Sequence, residues 1–442
     1  MRTQVLAATV AASLALVASP VLGANRRSFS FGGPSSIHAA ALSADIRASD
    51  ALYYNPAGLG GLTSASVDLS LTGFVFRSVS VEDGFGALFP GRERRADLGF
   101  VEILPNPSAL VFVRQLDERL SFAFGVFVVD ASDNRFDARV REEALVLDGE
   151  TFEGVAGFSG QLLSTAYDIG GGIGWQLRPG LRMGAGLFAI YDRSVSTTYE
   201  FTSLTTADGF SDTVLFASSE DLRATGLRGT WGLQWVPSPG LTVGVQVRSP
   251  TVGLYEWGEV LPLSSQPVEA GGQDLVAEAE AVSDFGAFLL ETGAAEAMLA
   301  WRRGAWTLGA TVEVGLPAER PDGSSNDAFV NGRVGVTVEL DEGWVLGAGA
   351  FTDVAPVRTL ERPLDERVDF FGLTTGALWT TYLDEAQRVA LTTTLGLGYH
   401  LGVGKTGALV IDAVDLDLVQ STRPASTTRH ELLLNVGSGI RY

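Results

Sequence analysis

The sequence predicts an all-β protein, a transmembrane antiparallel β-barrel of about 14 strands with an N-terminal plug, and three observations predict it. Apolar and small or polar residues alternate at period two in segment after segment, the pattern of a wall between two environments. The connections between those segments alternate between short and long, as tight turns on one rim and longer loops on the other require. No stretch beyond the N-terminus reaches about 18 uninterrupted apolar residues, so a membrane crossing must be made by strands.

Residues 1–24 read as a secretory signal. Arg2 supplies the positive start, Val5 to Val17 form an apolar run too short to span a bilayer, and Val21-Leu22-Gly23-Ala24 offers small residues for cleavage. Its removal takes one positive charge and moves the formal net charge from −21 to −22. Residues 25–64 do not alternate. Ala39, Ala40, Ala41, Leu42, Ala44 and Ile46 suggest a short helix that Pro56 and the following glycines end. A low-charge, small-residue segment ahead of the first strand suits a plug; a disordered periplasmic tail is the alternative, and the apolar content opposes it.

The barrel is expected over 65–442. Strand candidates run over about 65–77, 108–114, 119–129, 164–177, 180–196, 225–236, 240–252, 295–303, 305–316, 328–340, 343–354, 386–402, 404–418 and 428–442. The alternation is clean in 241–248, where Leu241, Val243, Val245 and Val247 interleave with Thr242, Gly244, Gln246 and Arg248. The last strand sets Leu432, Leu434, Val436, Ile440 and Tyr442 against Asn435, Gly437, Gly439 and Arg441. Taken singly, each such strand also fits a half-buried strand of a soluble sheet; the set does not. Inward glycines leave room for lumen contents or close backbone approach. Tyr167, Trp175, Tyr191, Trp231, Trp235, Trp301, Trp306, Trp344 and Tyr399 near strand ends suit interfacial girdles. The long links are expected at 78–107, 131–163, 197–224, 253–294, 317–327, 355–385 and 419–427.

Composition narrows function. With no Cys, disulfides, thiolate catalysis and Cys-based zinc sites are excluded. The acidic balance, 31 basic against 52 acidic residues, would repel a phosphate backbone, so no nucleic-acid partner is expected. His38, His400 and His430 show no ligand spacing, and no Ser is visibly activated, so neither metal, cofactor nor catalysis is expected.

Asp50-Ala-Leu-Tyr-Tyr-Asn-Pro-Ala-Gly-Leu59, after a signal and before the first strand, resembles the FadL/TodX family of outer-membrane transporters for long-chain fatty acids and hydrophobic compounds. The hairpins Gly172-Ile-Gly-Trp-Gln-Leu-Arg-Pro-Gly-Leu181 and Gly232-Leu-Gln-Trp-Val-Pro-Ser-Pro-Gly-Leu241 are similar to one another and to that family, as is Val247-Arg-Ser-Pro250. The run Phe31-Gly-Gly-Pro-Ser-Ser-Ile-His38 matches the family's Gly-rich N-terminus only in part. The resemblance implies a plugged fourteen-stranded barrel in the outer membrane of a Gram-negative-type cell. It also implies capture of a hydrophobic small molecule by outer loops and sideways exit near strand three. By the same resemblance Asn55, Pro56 and Ala57 belong to the hatch, and Gly125 is the candidate for the lateral opening because glycine permits a bulge.

Loop 253–294 supplies apolar candidates for capture, Leu254, Tyr255, Trp257, Phe285, Phe288 and Leu289, and its stretch 274–292 suits an amphipathic helix. The expected partners are a hydrophobic ligand and outer-membrane lipid, with the chain monomeric. A solute porin, or an outer-membrane assembly or secretion partner on the same barrel, stays open as an alternative.

Overall fold

The computed structural model describes residues 33–442, apart from 47, 90–91, 148–149, 210, 268–272, 278–279, 283–291, 320–324, 357–359, 361–365, 385, 387, 413–417 and 420–422. The signal-like segment 1–24 lies outside the described residues.

Fourteen antiparallel strands close into one barrel. They are β1 (Ser66–Phe89), β2 (Arg92–Gln115), β3 (Leu120–Leu147), β4 (Glu150–Arg178), β5 (Leu181–Thr206), β6 (Ser211–Ser238) and β7 (Leu241–Arg248). They continue as β8 (Ala294–Arg303), β9 (Trp306–Gly315), β10 (Phe329–Glu339), β11 (Trp344–Asp353), β12 (Glu366–Tyr382), β13 (Ala390–Gly407) and β14 (Pro424–Arg441). β14 returns to β1 from Ser66↔Arg441 to Glu82↔Ser426, so the sheet closes on itself.

The wall is inside-out relative to a soluble protein. In β7 the four buried residues are Thr242, Gly244, Gln246 and Arg248, while Val245 and Val247 are exposed. The same holds around the barrel, with Phe124, Ile173, Leu187, Leu308 and Leu373 exposed. A continuous apolar exterior over a polar interior is stable only against hydrocarbon. Trp175, Trp235, Trp301 and Trp306 stand exposed beside the tight turns, and Trp344 stacks on Trp379 with ring centroids 5.1 Å apart. At the other margin Tyr167 lies 6.2 Å from Tyr191, and the Tyr399 hydroxyl is 2.8 Å from Nδ1 of His430. Beyond Tyr191 the exterior turns ionic, with Asp221 held by Arg193 and Arg223, each at 2.7 Å. These two margins are the aromatic girdles of the bilayer interfaces.

Three expectations need correction. The links anticipated at 78–107, 131–163 and 197–224 are mostly strand, because β1 to β6 run on as paired hairpins past the apolar band. Strand twelve is Glu366–Tyr382, inside an anticipated link, and Ala390–Gly407 is the thirteenth, so 404–418 is not a separate wall strand. Its short piece Leu409–Asp412 instead pairs parallel with Phe85–Leu88 of β1. Third, 39–46 is not a helix. Pro34–His38 and Ser43–Asp45 are 3₁₀ turns, and Ala39 and Ala40 between them take left-handed backbone (φ 53° and 56°).

Wall height is uneven. β3 to β6 have 26–29 residues and β8 to β11 only 10 or 11, where a tilted crossing needs about 9–11. β7 breaks at Ser249–Thr251 and continues as Val252–Pro267, still paired to β6, so the tall side ends there.

Candidate lumen and wall seam

The N-terminal segment lies against the inner face of the wall and traverses it in order. Ser36 meets Gly396 of β13, Ile37 meets Gly376 and Gly347 of β12 and β11, and His38 meets Gly335 of β10. Ala41 and Leu42 then meet Gly309 of β9, Ala44 meets Gly244 of β7, and Pro56 meets Gly184 of β5. A Cβ at Gly184 would fall on the Pro56 carbonyl, and one at Gly232 on the Asn55 side-chain oxygen. Wall side chains satisfy the segment's carbonyls: Gln246 Nε2 donates to Tyr53 O (3.0 Å), Gln234 Nε2 to Ile46 O (3.3 Å) and Thr311 Oγ1 to Ala41 O (3.3 Å). Asn55 caps the 3₁₀ turn Pro56–Gly61 by accepting from Ala57 N at 3.2 Å. Asn55, Pro56 and Ala57 are thus buried at the β5–β7 side of the lumen.

Two buried titrating groups, His38 and Asp50, sit within the segment. Burial pushes the Asp50 carboxyl up to about 6, against the opposing Ser35 N–H at 3.0 Å, and pushes His38 down to about 4. Asp50's contribution to packing is fully present below its ordinary 3.8 and lost as pH rises through 6. His38's is present above its ordinary 6.5 and lost as pH falls through 4. Each shift corresponds to about 3 kcal/mol, and the two oppose one another over the same window. Hydrogen exchange of residues 33–61 should therefore be nearly flat between these limits in the native chain. In His38→Gln the segment should tighten on acidification; in Asp50→Asn it should loosen. Parallel profiles for the two variants would contradict this.

Between β2 and β3 the wall changes character. Ladder pairing runs from Gln115↔Ser121 to Ala109↔Phe127 and stops. The next stretch of β2 is Leu104-Pro-Asn-Pro-Ser108, whose two prolines bring no N–H to a ladder. Both flanking ladders slip at this level, β1–β2 at Ser70/Leu71 and Thr72/Val75, β3–β4 at Val128/Asp130. Yet β2 and β3 stay side by side in the same register. Asp133 N donates to Glu102 (3.0 Å), the Phe100 and Phe136 rings are 5.1 Å apart, and Arg94 Nε is 2.5 Å from Glu142. The seam is joined through side chains over a stretch where the flanking β1–β2 and β3–β4 pairs are joined by backbone ladders. Gly125 itself sits in intact ladder, opposite Val111 and Gly170, two residues short of the seam.

An apolar cluster backs the seam. Val111, Ala123, Phe127, Phe188 and Ile190 from the wall pack with Leu52, Tyr53 and Leu59 of the segment. Tyr53 touches Phe127 at 5.0 Å and Phe188 at 5.8 Å between centroids. Buried ion pairs flank it. Arg228 pairs with Asp168 and lies 5.8 Å over Tyr53 and 5.9 Å over Phe188. Arg77 joins Glu102 (2.5 Å) to Glu431 (2.7 Å), which reaches His400 at 3.3 Å. Farther round, Arg248 and Arg333 share Glu296 and Glu313.

Of the anticipated capture residues, Leu254 and Tyr255 are exposed on the continuation of β7, and Trp257 lies 5.0 Å under the Arg223 guanidinium. Phe285, Phe288 and Leu289 lie outside the described residues. The helix expected at 274–292 is not formed in its described part, where Gln273–Ala277 and Glu280–Val282 are strands. The seam and the Arg77 and Arg228 ion pairs went unread in the sequence; for the seam, the prolines at 105 and 107 were the one available signal.

No protein-family model matches this chain, and no curated protein sequence matches it. Solved structures do. A Pseudomonas aeruginosa FadL homologue superposes with TM-score 0.60 at 11% identity, covering 92% of this chain and 97% of that one. The Pseudomonas putida toluene transporter TodX gives 0.51 at 15% identity, over 89% and 94%. The Ralstonia pickettii toluene transporter TbuX gives 0.51 at 12%, over 96% and 99%. By its strand count, its closure and these superpositions, the chain has the fold of the FadL/TodX outer-membrane channels.

Proposed function

We propose that this chain is an outer-membrane transporter for hydrophobic compounds, in which residues 33–61 act as the hatch and the β2–β3 seam is the lateral exit. The contact of Tyr53 with Phe127 carries the reading, because it joins the inner segment to the last rung of the ladder before the seam. A shift of either one disturbs the other. The exposed Leu254 and Tyr255 serve capture on the outer side. The chain reaches the outer membrane by a cleaved signal at 1–24 and works as a monomer in contact with its lipid. Long-chain fatty acids and neutral hydrocarbons both fall within the class.

Mass spectrometry of small molecules extracted from the detergent-purified protein tests the reading directly. A hydrophobic compound retained one per chain, absent from a control barrel, is the expected result. Deleting 25–60 should also raise single-channel conductance roughly tenfold. Nothing retained, together with steady conductance by the intact chain, would make it a solute porin.

A further inference from the structure

We propose that the compound carried is uncharged, and that the lumen rejects carboxylates such as fatty-acid anions; this rests on the transporter reading above. Binding a carboxylate head in a low-dielectric interior requires a cation free to meet it. Among the described residues ten carboxylate side chains are buried but only three arginines, Arg77, Arg228 and Arg248. Each of the three already holds carboxylate. Arg77 holds Glu102 and Glu431, Arg228 holds Asp168, and Arg248 holds Glu296 and Glu313.

Of these, one stands at the apolar cluster and one at the seam. Arg228 lies over the rings of Tyr53 and Phe188, so its faces as well as its charge are occupied. Arg77 sits at the seam itself, fixed through Glu102 to the Asp133 N–H. An incoming anion would have to displace Asp168 or Glu102 and leave that carboxylate buried without its partner. The acid excess also sets a negative potential that opposes its approach. At Asp168 a cationic head would have to displace Arg228 and leave that guanidinium buried without its partner. A neutral apolar molecule meets neither obstacle.

Retention of hexadecanol, palmitate and hexadecylamine, offered together to the full purified chain at neutral pH, decides the matter. The alcohol should be retained about tenfold over each charged analogue. Palmitate or the amine retained equally or better would overturn the inference and leave the transporter reading standing. Retention of none of the three would overturn the transporter reading, and the inference with it. In Asp168→Asn, checked for folding by heat-modifiable mobility, Arg228 loses a partner and palmitate retention should rise several-fold. A folded variant with palmitate retention unchanged would overturn the role given to that pair.

Discussion

Replacing Gly184 or Gly232 by leucine should expel the inner segment without dissolving the barrel. At both positions the first side-chain carbon would land on the Asn55–Pro56 turn, on the Pro56 carbonyl and on the Asn55 oxygen respectively. Backbone and a capping oxygen cannot yield as the end of a flexible side chain can. The wall is held by continuous ladders on either side of β5 and β6, so the segment gives way first. Overpacking of this kind costs about 1–3 kcal/mol per site, and the segment's few hydrogen bonds to the wall are comparable. Single-channel conductance should rise several-fold, and residues 33–61 should become accessible to protease while heat-modifiable mobility is kept. Gly332→Leu is the control, since a Cβ there meets nothing within 4 Å. Equal conductance in Gly184→Leu, Gly232→Leu and Gly332→Leu would mean that the segment does not close the lumen.

Fastening the β2–β3 seam should stop transport. The chain has no Cys, so Phe100→Cys with Phe136→Cys gives a single reactive pair across the seam, where the native rings are 5.1 Å apart. A short, reducible bis-thiol cross-linker there should lower uptake of a hydrophobic ligand about tenfold, and reduction should restore it. Leu308→Cys with Val336→Cys, opposite one another in the intact β9–β10 ladder, should leave uptake unchanged on cross-linking. Uptake that survives a fastened seam would send the exit elsewhere, most simply down the barrel axis.

The barrel was legible in the sequence where lipid forced the pattern. A strand such as Leu241–Arg248 must be apolar on one face and small or polar on the other, and that shows in one dimension. Above the bilayer the constraint lapses. The outward residues Arg135, Asp137, Arg139 and Arg141 of β3 look like loop although they are paired strand. In Glu366–Tyr382 the bulky Val368 and Phe370 face inward while Arg367 and Asp369 face outward, which scrambles the alternation over its first turns of pleat. The resemblance singled out Asn55, Pro56 and Ala57, which lie buried against the inner wall, and composition pointed to the glycines they rest on. The Arg77 ion pairs could not be found by either route. Arg77 meets Glu102 at 25 residues' separation and Glu431 at 354, and only register brings such partners together.

The unequal wall gives the molecule a front and a back. With β8 to β11 ending near the bilayer margin and β1 to β6 standing well above it, the mouth is cut obliquely, more scoop than tube. The seam belongs to the high side. In the transport proposed above, a passenger entering over the low side and leaving at the seam crosses the full bore, over Leu42, Ala44 and Tyr53 in turn. Direction across the barrel, and not only depth within it, is built into the strand lengths.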